Sequence, residues 1–175
     1  MKVIDTPRVT AKAISAKIER VRAGKPPRTL DLFSGCGGIS LGFLAAGFQM
    51  TGAIEFDPIA ARTHSRNFFS CDAEHGKALD ITKFDPAQVV EHFGLGKSLS
   101  NCIDVLVGGP PCQAFARVGR AKLREIDDHP RAFKHDARGN LYLRYLHYVE
   151  AFRPLAVLIE NVPDMMNYGG HNIAD

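Results

Sequence analysis

Cys112 stands in the run Gly108-Gly109-Pro110-Pro111-Cys112-Gln113, directly after the apolar stretch 103–107 (IDVLV). Glu160 stands 48 positions further on, directly after a second apolar stretch, 155–159 (LAVLI), and is followed by Asn161 and Val162. Two glycines and two prolines make a rigid, non-helical turn that holds a sulfur in one place, as in-line attack on a small ring requires. A carboxyl group in a partly apolar site has its pKa raised and can donate a proton. Thiol plus acid suits conjugate addition to a pyrimidine: the thiolate attacks C6, the acid supports N3, and C5 becomes electron-rich enough to take a methyl group. In open α/β sheets ligands bind outside the carboxyl ends of the strands, so two groups at two strand exits can meet in one pocket. Each group also has a plainer reading, a Pro-rich turn with an incidental thiol and a strand-end acid before a turn-forming Asn.

A second constellation lies nearer the N-terminus. The apolar run 29–33 leads into Asp31-Leu32-Phe33-Ser34-Gly35-Cys36-Gly37-Gly38 before Ile39 opens a helical pattern. A glycine-rich turn between a first strand and helix lets a ligand approach the backbone closely. Glu55, 20 residues after Gly35, sits where an acid accepts hydrogen bonds from two ribose hydroxyls. The spacing is G-x-G-G, without the third glycine of dinucleotide folds, which favours a nucleoside cofactor lacking a pyrophosphate, such as S-adenosylmethionine. Asp80 falls where a third strand is expected to end; it either bonds an adenine amino group or caps the next turn.

The elements that must position these groups follow from punctuation and periodicity. A helix is expected over 10–22, with Thr10 as N-cap and Gly24 as the stop. Pro26-Pro27 marks a boundary. Strands are expected at 29–33, 50–55, 103–107 and 155–159, and helices at 39–46, from Asp57-Pro58 to about Phe68, after Asp85-Pro86, and at 141–152. Alternating βα units with continuously apolar strands argue for a parallel sheet covered by helices on both faces. Residues 113–138 hold seven Lys/Arg, four acids and two His, and read as a long functional surface loop.

At 175 residues the chain can bury one real core, and 45% apolar with 23% charged residues is ordinary for a globular protein. No apolar stretch approaches the roughly 20 residues that span a bilayer, and the polar N-terminus carries no secretory signal. Cys36, Cys71, Cys102 and Cys112 form no C-x-x-C pair, which argues against a zinc site or disulfide framework and for reduced thiols in a cytoplasmic protein. Cys36, Cys71 and Cys102 read as small buried hydrophobes, with Cys36 lining the glycine turn as an alternative. Residues 1–28 carry eight Lys/Arg against two acids, a basic arm that either touches phosphates or is a solvated leader.

The motifs DLFSGCGG, Glu55, Asp80, GGPPCQ, Asp136-x-Arg138-Gly139-Asn140-Leu141 and Glu160-Asn161-Val162 occur in the order and rough spacing of the cytosine-C5 DNA methyltransferase family, which the chain resembles over residues 29–166. The resemblance implies a Rossmann-like, S-adenosylmethionine-dependent methyltransferase fold, with residues 29–175 as its cofactor-binding and catalytic part. It implies that Phe33 stacks on the adenine and that Asp31 and the turn Gly35, Gly37, Gly38 and Ile39 hold the methionine part. Glu55 and Phe56 would bind the ribose, Asp80 and Ile81 the adenine, and Pro110 would border the cofactor. Cys112 would be the covalent nucleophile, with Glu160 on N3 and the exocyclic amine of the cytosine. Asn161 and Val162 would support the loop, and Arg138 would buttress the site. Pro111, Gln113 and Arg117 would belong to a loop closing over a cytosine flipped from double-stranded DNA, at an unstacking cost of a few kcal/mol.

The chain departs from the family pattern at Ala116, where a serine is usual, and stops at Asp175, before the usual Gln-x-Arg-x-Arg motif and target-recognition region. That predicts one half of a split enzyme, completed by a second chain, or a fragment, with weak cofactor binding and poor methylation by itself. Rival readings are a tRNA cytosine-C5 methyltransferase, a non-catalytic partner that binds nucleic acid or a second subunit, and an NAD oxidoreductase, the last opposed by the absent G-x-G-x-x-G.

Overall fold

The computed structural model describes residues 7–111 and 141–163. Four strands, β1 (Arg28–Leu32), β2 (Gln49–Ile54), β3 (Val105–Gly108) and β4 (Ala156–Ile159), form one sheet in the order β2-β1-β3-β4. Every neighbouring pair is parallel. The chain leaves β1 to one side for β2 and returns to its other side for β3, so the direction of winding reverses between β1 and β3. A crevice at the carboxyl ends of two such strands is the general ligand site of doubly wound sheets.

The side chains of β1 alternate, as a pleated strand requires. Leu30 and Leu32 enter a core with Ile54, Val89, Ile103, Leu106, Tyr145, Tyr148 and Phe152. This brings α4 (Pro86–His92), α5 (Leu99–Cys102) and α6 (Leu141–Phe152) onto one face. Asp31 points to the other face, where it meets Ser40 of α2 (Gly38–Ala45), itself bonded to His64 of α3 (Pro58–Phe68). Helices therefore lie on both faces of β1, while the edge strand β4 is exposed along its length among the described residues. The two core tyrosines satisfy their hydroxyls on backbone carbonyls: Tyr145 donates to Leu106 and Leu158 (3.1 and 2.9 Å), and Tyr148 to Phe84 (2.8 Å).

Local chemistry sets the helix starts. Asp57 caps α3, its carboxylate accepting the Ile59 and Ala60 N–H groups at 2.8 Å, with Pro58 in the first turn. Asp85 and Gln88 form a capping box on α4. The strand expected to end at Asp80 is absent. Leu79 N–H bonds the Glu55 carbonyl at 2.7 Å, one rung beside β2. The chain then turns, because the Asp80 carboxylate captures the Thr82 N–H (3.0 Å) and hydroxyl (2.6 Å). The short helix α5 escapes sequence reading because one turn carries no periodic signal.

The basic N-terminal stretch is not a free leader. Its helix, α1 (Pro7–Arg22), buries Ala13 and Lys17. The Lys17 ammonium donates to the Phe152 and Arg153 carbonyls (2.8 and 2.9 Å), so it caps the C-terminus of α6. Burial pulls its pKa down to about 8 against the pull of Asp104. The fully buried Asp104 carboxylate pairs with Arg20 and accepts the Arg28 N–H (2.7 Å) and guanidinium (3.0 Å). Burial pushes the Asp104 carboxyl up, but the bonds and charge of Arg28 and the charge of Arg20 outweigh it and hold it below the usual range. Two of the arm's cations, Arg20 and Arg28, are thus spent on tying α1 and β1 to the start of β3, and a third, Lys17, on tying α1 to the end of α6.

Candidate active site

The strand register lines up four exits. Leu32 pairs with Ile54 and with Gly108, and Gly108 pairs with Ile159. The next residues, Glu55, Phe33, Gly109 and Glu160, therefore leave the sheet in one row, β2 to β4.

At the β1 exit, Phe33 takes φ 59°, Gly35 φ 54° and Gly37 φ 100°. Gly37 is required twice over: its φ is left-handed, and a Cβ would lie 2.2 Å from the Phe68 ring. The Glu55 carboxylate bridges two turns, one oxygen accepting Gly35 N–H at 2.8 Å and the other Asp57 N–H at 2.7 Å. Carboxylate oxygens keep further lone pairs, so ribose hydroxyls can still be received. Beneath the turn, Ser40 Oγ donates to Asp31 Oδ2 (2.6 Å) and lies 2.9 Å from His64 Nε2. Asn67 Nδ2 donates to the Cys36 carbonyl (3.3 Å). Asp31 Oδ1 and Ser34 Oγ are buried with no hydrogen-bond partner. Two unsatisfied oxygens beside a glycine turn fit a polar, cationic ligand, which is what the methionine end of S-adenosylmethionine offers.

The remaining residues expected at the cofactor divide. Phe33 is half-buried against the core, Ile39 half-buried, Gly38 exposed in the first turn of α2, and Phe56 exposed beside Glu55. Ile81 is buried in the core, and its carbonyl accepts the Arg144 guanidinium (2.9 Å). Asp80 is spent locally, on Thr82 and on Lys83 at 3.2 Å, and the Thr82 hydroxyl foremost holds its carboxyl below the usual range. The capping reading describes its observed bonds.

At the β3 exit, Gly108 has φ 155°, and a Cβ there would meet the Leu32 carbonyl oxygen at 2.0 Å. Only glycine lets β3 approach β1 this closely. A Cβ on Gly109 would sit 3.0 Å from Glu160 Oε2, so the acid lies directly over the turn. Glu160 N–H bonds the Gly108 carbonyl (3.0 Å), and Asn161 Nδ2 donates to the Pro110 carbonyl (2.9 Å). The Glu160 carboxyl group, Asn161, Gly109 and Pro110 are thereby gathered at one place. Cys112, Gln113, Arg117 and Arg138 lie outside the described residues.

A model of the family described as C-5 cytosine-specific DNA methylase matches residues 27–173. The chain belongs to the C-5 cytosine-specific DNA methylase family. It is 36% identical over 151 residues to the type II methyltransferase M.AgeI of Thalassovita gelatinovora, covering 85% of this chain and 31% of that one. It is 35% identical over 136 residues to M.XorII of Xanthomonas oryzae, covering 78% and 28%. The chain thus spans about a third of the length of these relatives. Among solved structures, a protein encoded within an Escherichia coli prophage is 32% identical at TM-score 0.57, covering 80% of this chain and 33% of its own. The fission yeast Dnmt2 methyltransferase, 22% identical at TM-score 0.52 over 83% of this chain and 37% of its own, shares the fold. The Rossmann-like methyltransferase fold expected from the sequence is therefore present.

Three features escaped sequence reasoning. Ser40 and His64 join α2 and α3 to Asp31, and Asn67 secures the turn; the spacing His64-x-x-Asn67-Phe68 on one helix face carries that signal, but without the sheet nothing says what the face meets. Cys36 and Cys71 are exposed, not buried hydrophobes; Cys71 sits at φ 64° in a surface turn. Cys102 is buried as expected, and burial pushes its thiol up to about 11, out of nucleophilic range. Among the described residues no helix is long and apolar enough to cross a membrane, and no group of His, Cys, Asp and Glu is placed to hold a metal.

Proposed function

We propose that the chain carries the cofactor-binding and nucleophile-bearing part of an enzyme that methylates C5 of cytosine in double-stranded DNA. The observation that carries this reading is Glu160 lying over Gly109 while Asn161 holds Pro110, two residues before Cys112. S-adenosylmethionine, when bound, supplies an electrophilic methyl group. Asp31, Ser34, the turn from Gly35 to Ile39 and Glu55 hold it; Phe33, Phe56, Asp80, Ile81 and Pro110 border it.

The Cys112 thiolate adds to C6 of a cytosine flipped out of the duplex, and Glu160 delivers a proton to N3. The electron pair released towards C5 makes that carbon nucleophilic. After C5 has gained its substituent, the C5 proton passes to a solvent base, and the pair it leaves re-forms the C5–C6 double bond and expels the thiolate from C6. N3 returns its proton to the Glu160 carboxylate, which restores the aromatic ring. Pro111, Gln113 and Arg117 form the segment that covers the flipped base, and Arg138 buttresses it. DNA is preferred over tRNA as substrate because the family model that matches residues 27–173 is described as a DNA methylase. A second chain is the partner in the reading where target recognition is supplied separately.

Transfer of labelled methyl to duplex DNA and to tRNA, side by side, tests this with the complete protein. Label in DNA, reduced by about 100-fold or more in Glu160→Gln, is expected; label confined to tRNA, or unaffected by that change, contradicts it.

A further inference from the structure

Ser40 and His64 are assigned to nothing above, yet both are fully buried, on two different helices, and meet at the end of the central strand. Ser40 has one proton, and at 2.6 Å it goes to Asp31 Oδ2. His64 Nε2, 2.9 Å from Ser40 Oγ, must then be the donor to that hydroxyl oxygen, which fixes the ring as the Nε2–H tautomer. Its Nδ1 is buried without a partner, which suits an unprotonated nitrogen and not an N–H. The result is a one-way chain, His64 to Ser40 to Asp31. The same ring abuts the cofactor turn, 3.0 Å from where a Cβ on Gly37 would stand, and packs on Phe68 (4.6 Å between centroids).

We infer that Ser40 and His64 are positioning residues that hold Asp31 as an oriented carboxylate beneath the glycine turn and so set the affinity for S-adenosylmethionine. This rests on the function proposed above. The physical reason is that Asp31 is buried beside a second carboxylate, Glu55. Burial chiefly, and Glu55 further, push its carboxyl up to about 6, while the Ser40 bonds pull the other way. Tyr145 of α6 also senses the Asp31 charge; burial chiefly, and Asp31 further, raise the phenol. His64 faces Ser40, Phe68, Phe69 and, through Phe69, His75, which Asp72 engages. Burial chiefly, and His75 further, lower its pKa to about 4, so it stays neutral. With the chain intact, Asp31 keeps its charge near neutral pH and its free Oδ1 can receive a cationic group; protonation below about pH 6 removes that acceptor.

The test uses the complete protein with S-adenosylmethionine itself as titrant in calorimetry from pH 5 to 8. Ser40→Ala is expected to weaken binding about tenfold at neutral pH and to move the midpoint of its pH dependence upward. His64→Phe keeps the ring packing and removes the donor, and is expected to act in the same direction. His64→Gln, with an amide N–H near the Nε2 position, is expected to recover much of the affinity. Nitrogen-15 shifts of His64 in the protein without ligand are expected to show Nε2–H. An Nδ1–H tautomer, or unchanged affinity and midpoint in both Ser40→Ala and His64→Phe with wild type binding normally, overturns the inference and leaves the function standing. Wild type that fails to bind S-adenosylmethionine while His64 is Nε2–H defeats the proposed function and not the hydrogen-bond chain.

Discussion

The turns leaving β1 and β3 lie side by side at the same register, yet they are held by opposite means. The β1 turn is held by side chains: Glu55 grips Gly35 and Asp57, Asn67 grips Cys36, and a buried polar chain runs underneath. The β3 turn is held by sterics, with Gly108 pressed on Leu32, two prolines following, and one described side-chain bond, from Asn161. A side-chain cradle can adjust as a flexible cofactor enters. A backbone wedge cannot, and rigidity is what a nucleophile needs at the adjoining position.

The contrast predicts where damage is greatest. Gly108→Ala drives a Cβ into backbone that cannot move aside, so a loss on the order of 4 kcal/mol or more is expected, seen as a protein that fails to fold or melts far earlier. Gly37→Ala meets an aromatic ring instead, plus left-handed strain. About 2–3 kcal/mol is expected, part of it recovered when Phe68→Leu is added, because the ring is the movable part. Full recovery, or none, would erase the distinction between the two turns.

The polar chain beneath the β1 turn gives a pH signature of its own. His64, lowered from 6.5 to about 4, binds its proton more readily unfolded, so its contribution is lost as pH falls from about 6.5 towards 4. Asp31, raised from 3.8 to about 6, binds its proton more readily folded, so its contribution grows as pH falls over nearly the same window. In wild type the two oppose each other and stability changes little between pH 6 and 4 on their account. Asp31→Asn uncovers acid sensitivity and His64→Phe reverses it, each on the order of 2–3 kcal/mol by denaturant melts at pH 4.5 and 6.5. The smallest effect on stability is Asn161→Ala, about 1 kcal/mol. The β3 turn keeps its shape by sterics, so what that change reduces is transfer rate more than melting temperature.

What could be read from sequence follows the same division. Sheet class, the helix starts capped by Asp57 and Asp85 and the glycines were legible because they rest on local rules, Asp57-Pro58 and the apolar runs above all. Thr10, expected as an N-cap, instead lies inside α1, which starts at Pro7. The exits pairing Glu55 with Gly35 and Glu160 with Gly109 were legible only as strand ends; their row depends on register, which continuously apolar strands do not encode by alternation. Asp80 misled because LDIT looks like a strand until its own carboxylate closes a turn. Lys17 was invisible as a helix cap because its partners are 135 and 136 residues away.

The most direct test of the two turns as halves of one site is covalent trapping of the complete protein on duplex DNA carrying 5-fluorocytosine, with S-adenosylmethionine present. Fluorine at C5 blocks the final elimination, so the adduct accumulates and its peptide can be sequenced by mass spectrometry. The account predicts a cross-link at Cys112 that carries a transferred methyl and disappears in Cys112→Ser. A cross-link at Cys36 or Cys71, or one that survives Cys112→Ser, would contradict it.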